Sequence, residues 1–154
     1  MKRVLYGVVI FILLMSSCSP EGMSTLPGSW TLGTGTTGAF SAAGSTVTNT
    51  LIASNDFPPN PDSLFFYFNT YPTSNGSYTI VNSVHPAAGQ LGIRLSQGLP
   101  PATIYVPAPS SAGSYATVTI KSGKVSIKVP LVQFENPAAP LDTADFLATI
   151  NQTQ

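Results

Sequence analysis

The chain has 154 residues and twelve formally charged side chains, six of each sign, so its net charge is zero. Only 8 % of its residues are charged, against about 25 % in a typical soluble domain, and the missing basic excess argues against nucleic acid as a partner. One cysteine excludes an intramolecular disulfide framework and a multi-thiolate zinc site, and 43 % apolar residues exclude simple disorder.

Residues 1–17 have the pattern of a signal peptide. Lys2 and Arg3 form a short positive segment, and residues 4–15 are an uninterrupted apolar run. A membrane-spanning helix needs about 20 apolar residues, so a run of this length predicts the helical core of a cleaved signal. Without residues 1–17 the chain keeps four cations against six acids, and its net charge becomes −2.

The signal ends in Leu-Met-Ser-Ser-Cys at residues 14–18, which resembles the lipobox of bacterial lipoproteins. The resemblance implies that Cys18 becomes the first residue of the mature protein and carries lipid on its sulfur and its amine. Two or more acyl chains anchor a protein stably in a membrane, whereas a single acyl chain gives only reversible membrane binding. Ser19, the residue after the cysteine, is not acidic, which implies by family analogy that the protein is sorted to the outer membrane. The analogy does not distinguish the periplasmic face from the surface face. An ordinary signal with a chance cysteine and an uncleaved anchor are the alternatives.

Residues 18–28 lack periodicity and predict a lipidated tether. From Trp30 onward, period-two alternation between connectors rich in Gly, Pro, Asn and Ser predicts short strands and no long helix. One all-β domain at 29–154, folded as a single antiparallel β-sandwich of immunoglobulin-like or similar type, fits this spacing. The predicted strands are 29–33, 46–53, 63–69, 77–82, 90–96, 102–106, 114–121, 124–129, 131–135 and 145–151.

The clearest predicted unit is a hairpin around Ser122 and Gly123, because a two-residue loop with glycine suits a tight primed turn. Pairing Lys121 with Lys124 gives one apolar and one polar face, and a slip by one residue would bury the lysines. The predicted core face consists of Ala116, Val118, Ile120, Val125, Ile127 and Val129. The same alternation predicts core positions at Leu91, Ile93, Leu95, Phe146, Ala148 and Ile150.

Residues 66–68 and 77–81, together with the hairpin at 116–126, resemble patterns in small β-sandwich lipoproteins of Bacteroidetes. These are hairpin patterns and carry no catalytic signature. The resemblance therefore implies an envelope location and a sandwich fold, and it implies no chemistry.

Two sets of side chains are candidates for a ligand surface. The aromatic residues with flat rings on which sugars can dock are Trp30, Tyr67, Tyr71, Tyr78, Tyr105 and Tyr115. Most aromatic residues of a sandwich belong to its core, and the candidates for an exposed ligand surface are Trp30, Tyr105 and Tyr115. The three lysines of the hairpin, Lys121, Lys124 and Lys128, share one face. They could meet an anionic glycan or a lipid headgroup, or they could form a solvated face that discourages edge-to-edge pairing.

Other polar residues have ordinary explanations. His85 precedes a proline, and the chain has no Gly-x-Ser-x-Gly elbow, so we predict an exposed loop histidine rather than a general base. Asn55, Asp56, Asn60 and Asp62 lack the EF-hand spacing and are common turn residues, with a calcium loop as the alternative. We therefore predict no catalytic residue, no metal and no cofactor.

Together these patterns predict a membrane-anchored lipoprotein of the cell envelope that acts as a non-catalytic binding or structural module. Its partners would be the membrane, through Cys18, and either a glycan or another envelope protein. A carbohydrate-binding accessory protein is the alternative, and a hydrolase is a third hypothesis.

Overall fold

The computed structural model describes residues 27–56 and 61–153, so the predicted signal peptide, Cys18 and most of the tether lie outside it. The described residues form eleven β-strands and one turn of 3-10 helix at Pro109–Ser111. The strands are β1 (Gly28–Leu32), β2 (Gly35–Gly38), β3 (Ser41–Ser45), β4 (Thr50–Asn55), β5 (Asp62–Phe68), β6 (Gly76–Val81), β7 (Gln90–Gln97), β8 (Thr103–Pro107), β9 (Tyr115–Lys121), β10 (Lys124–Asn136) and β11 (Ala139–Asn151). The predicted all-β fold is confirmed.

All eleven strands belong to one sheet, paired in the order β2-β1-β11-β10-β9-β6-β7-β5-β4-β3, with β8 paired to both β7 and β10. Every pairing is antiparallel except that of β6 with β7, which starts at Thr79 opposite Gln90. Inward side chains from both ends of this order, such as Ile127 and Phe146 on one side and Leu51 and Phe66 on the other, share one core. The sheet therefore folds over on itself and packs as a sandwich.

The C-terminal segment joins the two halves of the sandwich. The amide of Thr153 donates to the carbonyl of Ala42 in β3 at 2.8 Å, and the amide of Asn151 donates to Pro27 at 2.7 Å. The hydroxyl of Tyr71 donates to Oε1 of Gln152 at 3.0 Å. These bonds connect the start of the domain, its last strand and β3, which is the far end of the sheet order.

The hairpin of β9 and β10 has the predicted register, with Lys121 opposite Lys124. Ser122 and Gly123 have φ values of 53° and 76°, as a type I′ turn requires. The predicted core side chains of this hairpin are buried, apart from Ile120, which is half-buried. The predicted core positions on β7 and β11 are buried as well.

Several predicted boundaries are wrong: β2 and β3 were not predicted, and β11 begins at Ala139 rather than at residue 145. The first four residues of the strand expected at 46–53 form the turn between β3 and β4, where Val47 is 92 % exposed, and β4 begins only at Thr50. The strands expected at 124–129 and 131–135 are one strand, because β10 passes through Pro130 with a shift of register between Val129 and Val132. A bulge lets an antiparallel strand continue past a residue that cannot donate a backbone hydrogen bond.

Candidate functional site

Trp30 is not part of a ligand surface, which corrects the first of the aromatic candidates. Its side chain is 1 % exposed and belongs to the core, because β1 lies between β2 and β11 and Trp30 is at its centre with the inward orientation. Its indole Nε1 has no hydrogen-bond partner among the residues that the structure describes. An indole in this position contributes packing area and offers no face to a ligand.

Tyr105 is also less accessible than its sequence context predicts. It lies opposite Leu95 in the pairing of β7 with β8, and its half-buried ring packs against the core. Its hydroxyl donates to Oδ2 of Asp142 at 2.8 Å. This hydrogen bond, with smaller contributions from burial and from the charge of Asp142, raises the pKa of the Tyr105 phenol. Tyr105 thus attaches β8 to the hairpin formed by β10 and β11.

Tyr115 and the three lysines are exposed on the outer face of β9 and β10. Tyr115 is 58 % exposed. The ammonium of Lys124 donates to the carbonyl of Thr153 at 2.7 Å. Lys128 belongs to a polar row that crosses five neighbouring strands through directly paired positions: Ser77, Thr117, Lys128, Thr149 and Ser29. The sequence therefore identified the polar face of the hairpin, and strand pairing extends this face across five strands. Only one of the three lysines lies within this row.

A second surface lies on the outer face of the opposite half of the sandwich, and sequence reasoning named only its Tyr67 and missed the groove that it carries. Phe65 of β5 pairs with Arg94 of β7, and Tyr67 pairs with Gly92, so both pairs point away from the core. A Cβ on Gly92 would lie 1.8 Å from the carbonyl oxygen of Ser83. Because Gly92 has no side chain, the segment at 82–84 approaches β7 beside Arg94 and Tyr67.

This segment forms one wall of a groove of about 540 Å³. The other walls come from β8 and from the turn that joins β10 to β11. Neutral polar groups, one aromatic ring and several aliphatic side chains line it, represented by Tyr67, Asn82, Ser83, Thr103, Asn136, Val84, Ile104 and Val106. No aspartate or glutamate is among the lining residues.

Arg94 is the charged residue of the groove. In the described ranges its guanidinium makes no ion pair and no hydrogen bond to a side chain. Burial raises the pKa of the neighbouring Tyr67 phenol, and the positive charge of Arg94 offsets part of that rise. The groove therefore presents an unpaired positive charge next to an aromatic ring.

Hydrogen bonds hold the wall at the β10–β11 turn in place. Oδ1 of Asn136 accepts from the amide of Ala138 at 3.0 Å, and its Nδ2 donates to Oδ2 of Asp142 at 3.4 Å. Since Asp142 also accepts from Tyr105, the turn is connected to β8 on the same side of the groove. Alternation along a strand gives no sign of such a groove, because its walls come from segments far apart in the chain.

The remaining candidates do not line this groove. His85 is exposed, as predicted, and its backbone amide donates to Oγ of Ser83 at 3.1 Å. Asp62 accepts from the amide of Gly98 at 3.2 Å, which is a turn contact, while Asn60 lies outside the described residues. Within the described ranges there is no group of three His, Cys, Asp or Glu side chains that could hold a metal ion.

No family model, no curated protein and no solved structure matches the chain. In residues 27–56 and 61–153, no helix has the length and apolar character needed to cross a membrane.

Proposed function

We propose that this protein is a lipid-anchored, non-catalytic binding module of the bacterial cell envelope, held at the outer membrane through Cys18. The observation that carries the proposal is the lipobox-like sequence that ends in the chain's single cysteine. Pro27, nine residues later, is already hydrogen-bonded to β11. Nine residues span at most about 32 Å, so the sandwich would stay close to the membrane surface.

The binding role is supported by the two outer faces of the sandwich. One carries Tyr115 on a polar face, and the other carries the groove beside Arg94. Both are built on paired strands, which hold side chains at defined spacings and suit recognition.

Metabolic labelling with palmitate tests the anchor. We expect wild-type protein to be labelled and Cys18→Ala protein to remain unlabelled. Ser17→Ala is the matched control, since it keeps a small residue before the cysteine and labelling should persist. Labelling of the Cys18→Ala protein would contradict the proposal.

Carbohydrate binding through the Tyr115 face is the second candidate, favoured by the exposure of that ring among hydroxyl groups. A glycan array with the full chain in detergent tests it. We expect Tyr115→Ala to abolish binding to neutral glycans, whereas unchanged binding by this variant would exclude the face.

A further inference from the structure

We propose that the groove beside Arg94 binds an acidic sugar through its carboxylate. This inference deepens the proposed binding role and does not depend on the lipid anchor. It assigns the chemical class of the ligand, a uronic acid or an oligosaccharide that contains one, and it assigns Arg94 as the residue that recognises its charge.

The charge of the groove favours a carboxylate. Arg94 is the only arginine after residue 3, and it has no acidic partner in the described part of the chain. A guanidinium has five N–H donors in a planar arrangement that matches a carboxylate with two parallel hydrogen bonds. Because no acid lines the groove, an anion that enters it meets one positive charge and no opposing carboxylate.

The shape and the neutral groups of the groove favour a sugar ring. Its volume of about 540 Å³ is within the range of small-molecule sites. The Tyr67 ring offers a flat apolar face with a polar tip, and Asn82, Asn136, Ser83 and Thr103 offer amide and hydroxyl groups. Sugar hydroxyls both donate and accept hydrogen bonds, as these groups do.

A peptide fits this groove less well. Extended peptides gain much of their affinity by adding a strand to a free sheet edge. β5 pairs with β4 and β7, and β7 pairs with β5, β6 and β8, so the two strands below the groove are paired on both sides. An acidic peptide could therefore use Arg94 but would find no strand edge there.

Calorimetric titration of the full chain in detergent tests the proposal. The probe is trigalacturonate, and its methyl ester is the matched ligand without the negative charges. We expect the ester to bind at least about tenfold more weakly, the loss that corresponds to one charge-assisted hydrogen bond. Arg94→Gln should weaken trigalacturonate binding by a similar factor. The affinity of Arg94→Lys should lie between those of the wild type and Arg94→Gln, because lysine keeps the charge but loses the paired donors.

Lys128→Gln is the control variant, because it removes one positive charge from the other outer face. Its affinity for trigalacturonate should match that of the wild type. If Arg94→Gln does not fold, the comparison of acid and ester on the wild-type protein decides the question.

The proposal is overturned by equal affinity for acid and ester, by unchanged binding in folded Arg94→Gln, by an absence of uronide binding, or by tighter binding of pentaglutamate. If the acidic-sugar site fails these tests, neutral-glycan binding that is lost in Tyr115→Ala would still support the proposed binding role, because Tyr115 lies on the other outer face. Palmitate labelling tests the anchor independently of either result.

Discussion

The carbonyl oxygen of Ser83 lies directly over Gly92, at 1.8 Å from where a Cβ of residue 92 would be. This close approach places the segment at 82–84 against β7, and that segment forms a wall of the groove beside Arg94. One residue without a side chain thus determines how near this wall comes to the sheet.

We expect Gly92→Ala to destabilise the domain by at least about 2 kcal/mol, because backbone must move to admit the new methyl group. Urea unfolding followed by circular dichroism measures this change. Gly38→Ala is the matched control: it also lies in a strand, and its Cβ would have no atom within 4 Å. Equal midpoints for Gly92→Ala and wild type would show that the segment moves aside freely.

We expect Trp30→Phe, which keeps a smaller aromatic ring, to destabilise the domain much less than Trp30→Ala. Trp30→Ala leaves a cavity in the core and should cost about 3–5 kcal/mol. Trp30→Phe keeps a ring and removes the indole donor that has no partner, which offsets part of the lost packing. We therefore expect its loss of unfolding free energy to be less than about half of the loss in Trp30→Ala. Circular dichroism is the appropriate probe, since both variants remove the only tryptophan. Equal costs for the two variants would contradict the prediction.

The phenols of Tyr105, Tyr67 and Tyr71 all have raised pKa values, from the bond to Asp142 in the first and from burial in the other two. A raised phenol pKa favours the neutral form in the folded state. Its contribution to stability is therefore complete below the unfolded pKa of about 10 and is lost as the pH rises through the folded value. We expect the free energy of unfolding to fall as the pH rises above about 10.

The variant Asp142→Asn isolates the contribution of Tyr105 to this pH dependence. The amide keeps a hydrogen-bond acceptor but removes the negative charge, so the Tyr105 pKa should fall and its phenolate should form at lower pH. Ultraviolet absorbance of the phenolate, recorded on folded protein during an alkaline titration, measures this directly. A titration curve identical to that of the wild type would contradict the assigned role of Asp142.

Lys121 and Lys124 are directly opposite each other across the hairpin. Like charges in this arrangement are destabilising, so Lys121→Glu should stabilise the domain by about 0.2–1 kcal/mol at low salt. The gain should shrink at high salt, where exposed charges are screened. Lys128→Glu is the control, because residue 128 faces the uncharged Thr117. A gain of equal size in both variants would point to net charge rather than to the cross-strand pair.

The register of the β9–β10 hairpin could be predicted because neighbouring residues decide it. Strict alternation with a two-residue turn leaves one pairing that buries Val118 and Ile127 and exposes the lysines. The turn between β3 and β4 could not be predicted in this way. Ser45, Thr48 and Asn49 interrupt a run of residues that also suits a strand, and only pairing with neighbouring strands divides it.

The groove beside Arg94 could likewise be predicted only in part from the sequence. The predicted core positions Leu91, Ile93 and Leu95 imply that Arg94 faces outward from β7, as it does in the structure. Alternation could not show that residues 82–84, β8 and the β10–β11 turn surround Arg94, because these segments meet only when the sheet folds over. It also misplaced Trp30, whose burial depends on strands paired on both sides of β1.

By itself, then, the sequence determined what short-range chemistry can specify: the all-β class, the hairpin with its polar face, and the alternation along each strand. A side chain's direction follows from its neighbours two residues away. The tertiary structure alone decided the parallel pairing of β6 with β7, the burial of Trp30 and the groove beside Arg94. Each of these depends on contacts between residues distant in the chain, and no local pattern specifies which distant segments meet.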